Sequence, residues 1–268
     1  MEAKKVLFIF QEITPYVPES ELSVIGRNLP QGIQEAGKEI RTFMPRYGLI
    51  NERRNQLHEV IRLSGMNLII DDTDHPLIIK VASIQAVRLQ VYFIDNEDFF
   101  QRKAIVSDDE GKEFEDNDER AIFFARGVLE TVKKLRWSPD IIHCHGWMSA
   151  LVPLYIKKSY HDDPFFQHSK MVYSIYDNPF ENTFRELFKE KILMPGVTPE
   201  DLSLVEKPDY ENLNKLAIHY SDAVIQGSEN INKNVKKFID TENKKFLGYQ
   251  SPESYIQAYD SFYDEILS

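Results

Sequence analysis

The chain opens on an unbroken apolar run at residues 4–10, KKVLFIF, which is the pattern of a parallel strand covered on both faces. Apolar residues then recur at helical spacing between residues 22 and 37, and Gly37 is a suitable residue to end that helix. A second strand is predicted at residues 39–48. Strand, helix and strand in this order predict a βαβ unit with a right-handed crossover.

The middle of the chain alternates between strand-like and helix-like patterns. Residues 51–65 are charged and are predicted to be helical, while NLIIDD, LIIKVASI and LQVYFID predict an antiparallel hairpin or meander appended to the sheet. An acidic loop at residues 107–119 precedes a helix at 121–135. Further strands are predicted at 138–145, at 170–177 and in DAVIQGS, with helices at 149–157, in NLNKLAIHY and after residue 230.

The tail, SPESYIQAYDSFYDEIL, carries a helix-start signature at Ser251 followed by an apolar stripe. Such a stripe must be buried against another element. The whole pattern predicts an α/β protein with a doubly wound, Rossmann-like, mostly parallel sheet, an appended β-meander and a C-terminal helix at residues 251–267 that packs on it.

The composition of the chain argues against several classes of protein and of site. The chain has 268 residues, 42% of them hydrophobic, and a formal net charge of −11, which suits one large α/β domain or two small ones. The negative charge argues against nucleic-acid binding, and no apolar run reaches the roughly 20 residues of a membrane span. A single cysteine, Cys144, excludes an internal disulfide and a cysteine-based zinc site. We therefore expect a soluble, cytoplasmic protein.

Four segments, in this order, resemble the glycogen and starch synthases of glycosyltransferase family 5. They are EITPYVPESELSVIGRNLP, SPDIIHCHGWMSALVPLYIKK, MVYSIYDNPF and LNKLAIHYSDAVIQGSENI. The first is similar, at equal length, to the family loop EMFPLLKTGGLADVIGALP, and the second to PDVVHAHDWHAGLAPAYL. Together with the first strand they span residues 4–235.

The resemblance implies a fold and a domain organisation. Family members have two Rossmann-like domains in the glycosyltransferase-B arrangement and transfer glucose from ADP-glucose to an α-1,4-glucan in the cleft between them. Few residues follow the last matching segment here, and the tail resembles the family's terminal helix, which crosses back onto the N-terminal domain. We therefore expect residues 1–268 to form a single N-terminal-type domain, with residues 251–267 as the crossover helix and without the C-terminal domain.

The resemblance also places site residues, several of them altered. In the family, the lysine of KTGGL meets the donor phosphates; Pro18, Glu19, Ser20 and Glu21 stand here instead. Proline offers neither an ammonium nor an N–H group, and carboxylates repel a diphosphate. The family's aspartate and histidine in DWH correspond to Gly146 and Met148, and the histidine near the transferred glucose corresponds to Tyr176. The candidate ligand-binding positions are Tyr16, Pro18, Glu19, Gly146, Trp147, Met148, Tyr176 and Asn178.

These replacements predict a degenerate glycosyltransferase domain that acts as a glucan-, nucleotide- or protein-binding module, with no catalytic residue, cofactor or metal. Its ligand would be glucan or ADP-glucose, or a protein partner or second copy covering the cleft face. The alternative is an ADP-glucose-dependent α-1,4-glucan glucosyltransferase that is active only with a partner chain supplying the second domain.

The aromatic residues Tyr16, Trp147, Tyr176 and Phe180 all fall in loops after predicted parallel strands, where α/β domains place ligands. They either stack on a sugar or partner, or cap the core. His143 and His145 share one face of a strand. They could hold a metal, but we favour the polar end of a buried strand.

Two charged clusters also allow two interpretations each. The turn with Asp71, Asp72, Asp74 and His75 resembles a hard-cation loop, but it lacks the spacing of an EF-hand, so we favour a polar hairpin turn. If residues 51–62 are helical, Arg54, His58 and Arg62 line one face. That face would bind an anion or, as we favour, form surface salt bridges.

Overall fold

The computed structural model describes residues 3–268. Its strands are β1 Lys5–Phe10, β2 Glu39–Pro45, β3 His58–Glu59, β4 Met66–Ile70, β5 Thr73–Ile84, β6 Leu89–Asp95, β7 Ile141–His145, β8 Lys170–Ile175, β9 Ala223–Gln226 and β10 Lys245–Leu247. Its α-helices are α1 Glu21–Glu35, α2 Glu97–Phe100, α3 Asn117–Leu135, α4 Val152–Lys158, α5 Phe188–Ile192, α6 Tyr210–His219, α7 Lys233–Glu242 and α8 Tyr255–Leu267. Short 3-10 turns lie at Gln85–Val87, Trp147–Ser149 and Pro199–Val205.

One ten-stranded sheet holds the molecule together, in the order β10-β9-β8-β7-β1-β2-β6-β5-β3, with β4 paired to β5. From β10 to β6, each strand is parallel to the next one in this order. From β1 the chain builds towards β6 on one side and from β7 towards β10 on the other. This doubly wound, mostly parallel α/β sheet confirms the predicted fold class.

The buried strand β1 sits at the centre of this sheet. Its residues from Val6 to Phe10 are fully buried, as expected for a strand covered on both faces. The strands β1 and β7 are parallel, but the order in which strands are added to the sheet reverses between them, so the loops that follow these two strands meet at the topological switch point. Open α/β sheets place ligands at such a point.

The predicted antiparallel meander is confirmed, because β4, β5 and β6 pair in this way. Its third strand is also part of the parallel sheet, since β6 pairs with β2. No helix in residues 3–268 combines the length and apolarity needed to cross a bilayer.

The prediction of a helix at residues 51–65 is wrong. Gln56 has a left-handed backbone, φ 54°, and the segment continues into β3, where His58 pairs with Val81 at the edge of β5. The edge of β5 offers unpaired backbone groups, and satisfying them outweighs the weak helical pattern. Arg54, His58 and Arg62 therefore do not share a helix face, and the anion site that a helix would create is absent from this described segment.

The start of α1 is fixed by a capping box. The Ser20 hydroxyl accepts a hydrogen bond from the Ser23 amide at 3.0 Å, and the Ser23 hydroxyl accepts one from the Ser20 amide at 2.8 Å. Two N–H groups that the helix leaves unpaired are satisfied in this way. The loop that differs from the family at Pro18–Glu21 thus has a structural role of its own.

Helix α8 docks on α1 and on the sheet through its apolar stripe. Tyr259, Phe262 and Tyr263 are buried, and the Tyr263 hydroxyl lies 2.6 Å from Nδ1 of His143 in β7. Lys38 adds ion pairs at 2.7 Å to Asp260 and 2.9 Å to Asp264. The predicted helix start at Ser251 is displaced, because residues 251–254 form a turn and α8 begins at Tyr255.

We expect Ser20→Ala to lower the free energy of unfolding by about 1 kcal/mol, because the Ser23 amide loses its cap. Urea denaturation measures this change. Ser254→Ala is the matched control, since Ser254 occupies the N-cap of α8 without a side-chain cap bond. Equal losses in the two variants would contradict the capping role.

We expect Tyr263→Phe to destabilise the protein by about 1–3 kcal/mol, because it leaves a ring nitrogen of His143 buried without a partner. Tyr16→Phe is the control: the Tyr16 hydroxyl is buried and has no hydrogen-bond partner among the described residues, so its removal costs little. The same denaturation experiment compares the two. A Tyr263→Phe variant as stable as Tyr16→Phe would show that the contact between α8 and His143 contributes nothing.

Candidate functional site

The loops after β1, β7 and β8 converge on Gln11, which is 2% exposed. The side-chain oxygen of Gln11 lies 3.3 Å from the Met148 amide and 3.4 Å from the Asn178 side-chain nitrogen. Its backbone carbonyl accepts the Tyr47 hydroxyl at 3.0 Å. Three predicted site segments are therefore held together by a glutamine that the sequence analysis did not select. The sequence does contain a signal for Gln11: it is a polar residue that directly follows the buried strand at the switch point.

Gly146 is required where β7 ends. Its φ is 81°, and a Cβ atom there would lie 2.9 Å from the Gln11 side-chain oxygen. A side chain at this position is both strained and too close to Gln11. Gly146 therefore lets the loop after β7 approach β1, and it offers no side chain to a ligand.

Tyr16, Trp147 and Tyr176 cap the core, which is one of the two roles that the sequence allowed for them. Their side chains are 5%, 2% and 1% exposed. Tyr16 packs edge-on against Phe93 at 4.9 Å between ring centroids, and Trp147 against Phe180 at 4.9 Å. These aromatic rings gain more by filling the core beneath the loops than by lying on the surface. Phe180, at 6% exposure, belongs to the same buried cluster.

The two histidines of β7 are part of a buried polar network. Their rings lie 3.7 Å apart. His143 contacts the Tyr263 and Ser174 hydroxyls at 2.6 and 2.7 Å, and His145 contacts the Tyr176 hydroxyl at 2.8 Å. Burial holds the pKa of both imidazoles well below the usual range, so they are neutral hydrogen-bonding groups.

Within residues 3–268, no three histidine, cysteine, aspartate or glutamate side chains lie close enough together to hold a metal ion. The turn at Asp71 and Asp72 is a tight hairpin with φ values of 52° and 57°. Asp71 pairs with Lys191 at 3.1 Å, and His75 lies 3.0 Å from Asp98. The acidic turn is therefore engaged in structural contacts.

The loop between β1 and α1 is acidic and carries Pro18 and Glu19 at its exposed tip. Burial raises the pKa of Glu12, although hydrogen bonds from Ser20 and Gln11 oppose this rise. The Ser20 hydroxyl donates to Glu12 at 2.8 Å, and the Ser228 hydroxyl donates to Glu21. This end of the sheet presents carboxylates at the positions where the resemblance placed phosphate-binding groups.

A groove of about 710 Å³ lies between this loop, α1 and the segment that leads into α8. One wall includes Glu21, Val24 and Asn28 of α1, and the other includes Tyr249 and Tyr255. Within the described part of the chain, the lining contains no lysine, arginine or histidine. Its volume suits a small-molecule site. Of the predicted site residues it takes in only Glu19; the remaining seven lie outside it.

Comparisons with known proteins show which family the chain resembles. A family model described as the starch synthase catalytic domain matches residues 5–245. A glycogen synthase of Chlorobium luteolum is 38% identical over 213 residues, or 79% of this chain and 42% of the relative. One from Chlorobaculum parvum is 36% identical over 234 residues, or 86% of this chain and 47% of the relative. The chain thus spans less than half the length of these relatives.

A solved structure has the same fold. It is the catalytic domain of starch synthase IV from Arabidopsis thaliana bound to ADP and acarbose, with a TM-score of 0.75 and 19% sequence identity, covering 95% of this chain and 53% of that one. This likeness confirms the fold expected from the glycosyltransferase-B resemblance. The family match over residues 5–245 shows that the chain belongs to the starch synthase catalytic-domain family.

Proposed function

We propose that this chain is a starch-synthase-like domain that binds glucan and does not, by itself, transfer glucose from ADP-glucose. The observation that carries the proposal is the acidic character of the loop between β1 and α1. Glu19 and Glu21 line the groove there, and no cationic side chain does so within residues 3–268.

Electrostatics at this loop disfavour a nucleotide sugar. Two like unit charges 4 Å apart repel by roughly 4 kcal/mol at an effective dielectric constant near 20. Transfer of glucose also needs groups that stabilise the leaving diphosphate. Carboxylates at these positions act in the opposite direction, so both donor binding and the chemical step are opposed.

The position of Tyr176 supports the same conclusion. By resemblance it replaces a histidine near the transferred glucose, yet its hydroxyl is engaged by His145 and its ring is 1% exposed. The Tyr210 hydroxyl further fixes this loop by donating to the Tyr176 carbonyl. Tyr176 therefore has no free group with which to contact a sugar.

A neutral glucan is compatible with the features that oppose the donor. Carboxylates accept hydrogen bonds from sugar hydroxyls, and such charge-assisted bonds are stronger than neutral ones. The relatives are named glycogen synthases, and the solved neighbour is bound to acarbose as well as ADP. Among the glucan, nucleotide and protein ligands expected from the sequence, we therefore favour glucan.

We expect the purified chain to release no ADP above background when it is incubated with ADP-glucose and maltoheptaose, because the groups that stabilise the diphosphate are replaced. A coupled assay for ADP measures this. Release by the chain alone would contradict the proposal. Release only after a second, separately purified chain is added would favour the two-chain enzyme instead.

We expect the variant Pro18→Lys, Glu19→Thr, Ser20→Gly, Glu21→Gly to gain a thermal shift with ADP-glucose that the wild type lacks. The variant adds an ammonium group and removes two carboxylates. A ligand that binds the folded state raises the midpoint of thermal unfolding. Loss of the Ser20 cap to glycine costs only about a few tenths of a kcal/mol. The control Glu19→Gln, Glu21→Gln removes charge alone and should gain less. No shift in either variant would mean that repulsion at this loop is not what excludes the donor.

A further inference from the structure

The groove beside α1 is long and open at the surface. It follows one face of α1 from Glu21 to Glu35, which corresponds to about 21 Å at the rise of an α-helix. Close approach of α8 closes it on one side, because a Cβ atom on Gly32 would lie 2.4 Å from the Ile256 side chain. The space between the two walls is therefore an elongated channel rather than a round pocket.

The lining combines the side chains that hydroxyl-rich ligands use. Asn28 and Gln250 bring amides from opposite walls, the half-buried Tyr249 brings an aromatic ring, and Glu19 brings a carboxylate. Glu19 is exposed and makes no hydrogen bond or ion pair to the described residues. An aromatic ring offers an apolar face beside polar groups, and a sugar ring needs both.

We propose that this groove is where the glucan binds, with a linear neutral chain lying lengthwise along α1 between Asn28 and Tyr249. The assignment rests on the proposed glucan-binding function and adds the location and the orientation of the ligand. It moves the binding surface away from Trp147 and Tyr176, whose side chains are buried, and onto the segment that leads into α8.

The chemistry of the groove disfavours two other ligand classes that its size would admit. Anionic ligands lack a cationic partner there, since none of the lining residues in the described chain is basic. A purely apolar ligand would desolvate the Glu19 carboxylate without offering it a partner, which is unfavourable. A neutral polyhydroxylated chain can form hydrogen bonds with the polar side chains and pack its sugar rings against the aromatic side chain.

The test is isothermal titration of maltoheptaose into the full chain and into Val24→Arg. Val24 is 37% exposed and lines the groove, so arginine there fills the channel and pairs with Glu21 one turn before it. We expect the Kd to rise at least tenfold. Ile61→Arg is the matched control: Ile61 is 82% exposed and lies outside the groove, and the charge change is the same, so its Kd should equal that of the wild type.

The outcomes separate the two proposals. Wild-type protein that gives no binding heat with maltoheptaose would overturn the glucan-binding function itself. Normal binding by Val24→Arg would leave that function in place and overturn the groove. If circular dichroism shows that Val24→Arg does not fold, the double variant Asn28→Ala, Gln250→Ala takes its place. It removes one hydrogen-bonding group from each wall, and an unchanged Kd would again overturn the groove.

Discussion

The hydrogen bond between Tyr263 and His143 connects the C-terminal helix to the centre of the sheet. His143 lies on β7, next to the central strand β1, and is fully buried. Both ring nitrogens of His143 have a partner, because Ser174 and Tyr263 supply them. Together with the buried apolar stripe and the ion pairs of Lys38, this contact determines where α8 lies on the domain. The segment before α8 forms one wall of the groove, so the shape of the candidate site depends on a bond made well beneath it.

The same end of the sheet shows how a family scaffold can keep its shape while its surface chemistry changes. Gln11 and Gly146 hold the loops after β1, β7 and β8 in contact. Ser20 still begins α1, through a capping box. What the loop presents to a ligand is now acidic. Different residues determine the framework and the surface chemistry here, so the loop keeps an ordered conformation while it presents carboxylates at its surface.

Much of the fold follows from the sequence, because long periodic segments leave few alternatives. The apolar run in β1, the helical stripe in α1 and the meander from β4 to β6 were all predicted correctly. The segment at residues 51–65 was not. Its charges allow a helix, but the edge of β5 supplies backbone partners that no local pattern reveals.

The site was harder to predict than the fold for a related reason. Sequence position placed Tyr16, Trp147 and Tyr176 in the right loops, but burial depends on residues distant in the chain, such as Phe93 and Tyr210. The groove likewise joins α1 to residues more than 200 positions later. Only Glu19 among the predicted ligand-binding positions lines it.

The most direct test of the central claim is a pair of calorimetric titrations of the same wild-type preparation, one with maltoheptaose and one with ADP-glucose. The account predicts saturable binding of maltoheptaose and no measurable binding of ADP-glucose, because the accessible groups are acidic, amide and aromatic and none is cationic in the groove of the described chain. Binding of ADP-glucose without binding of maltoheptaose would contradict it.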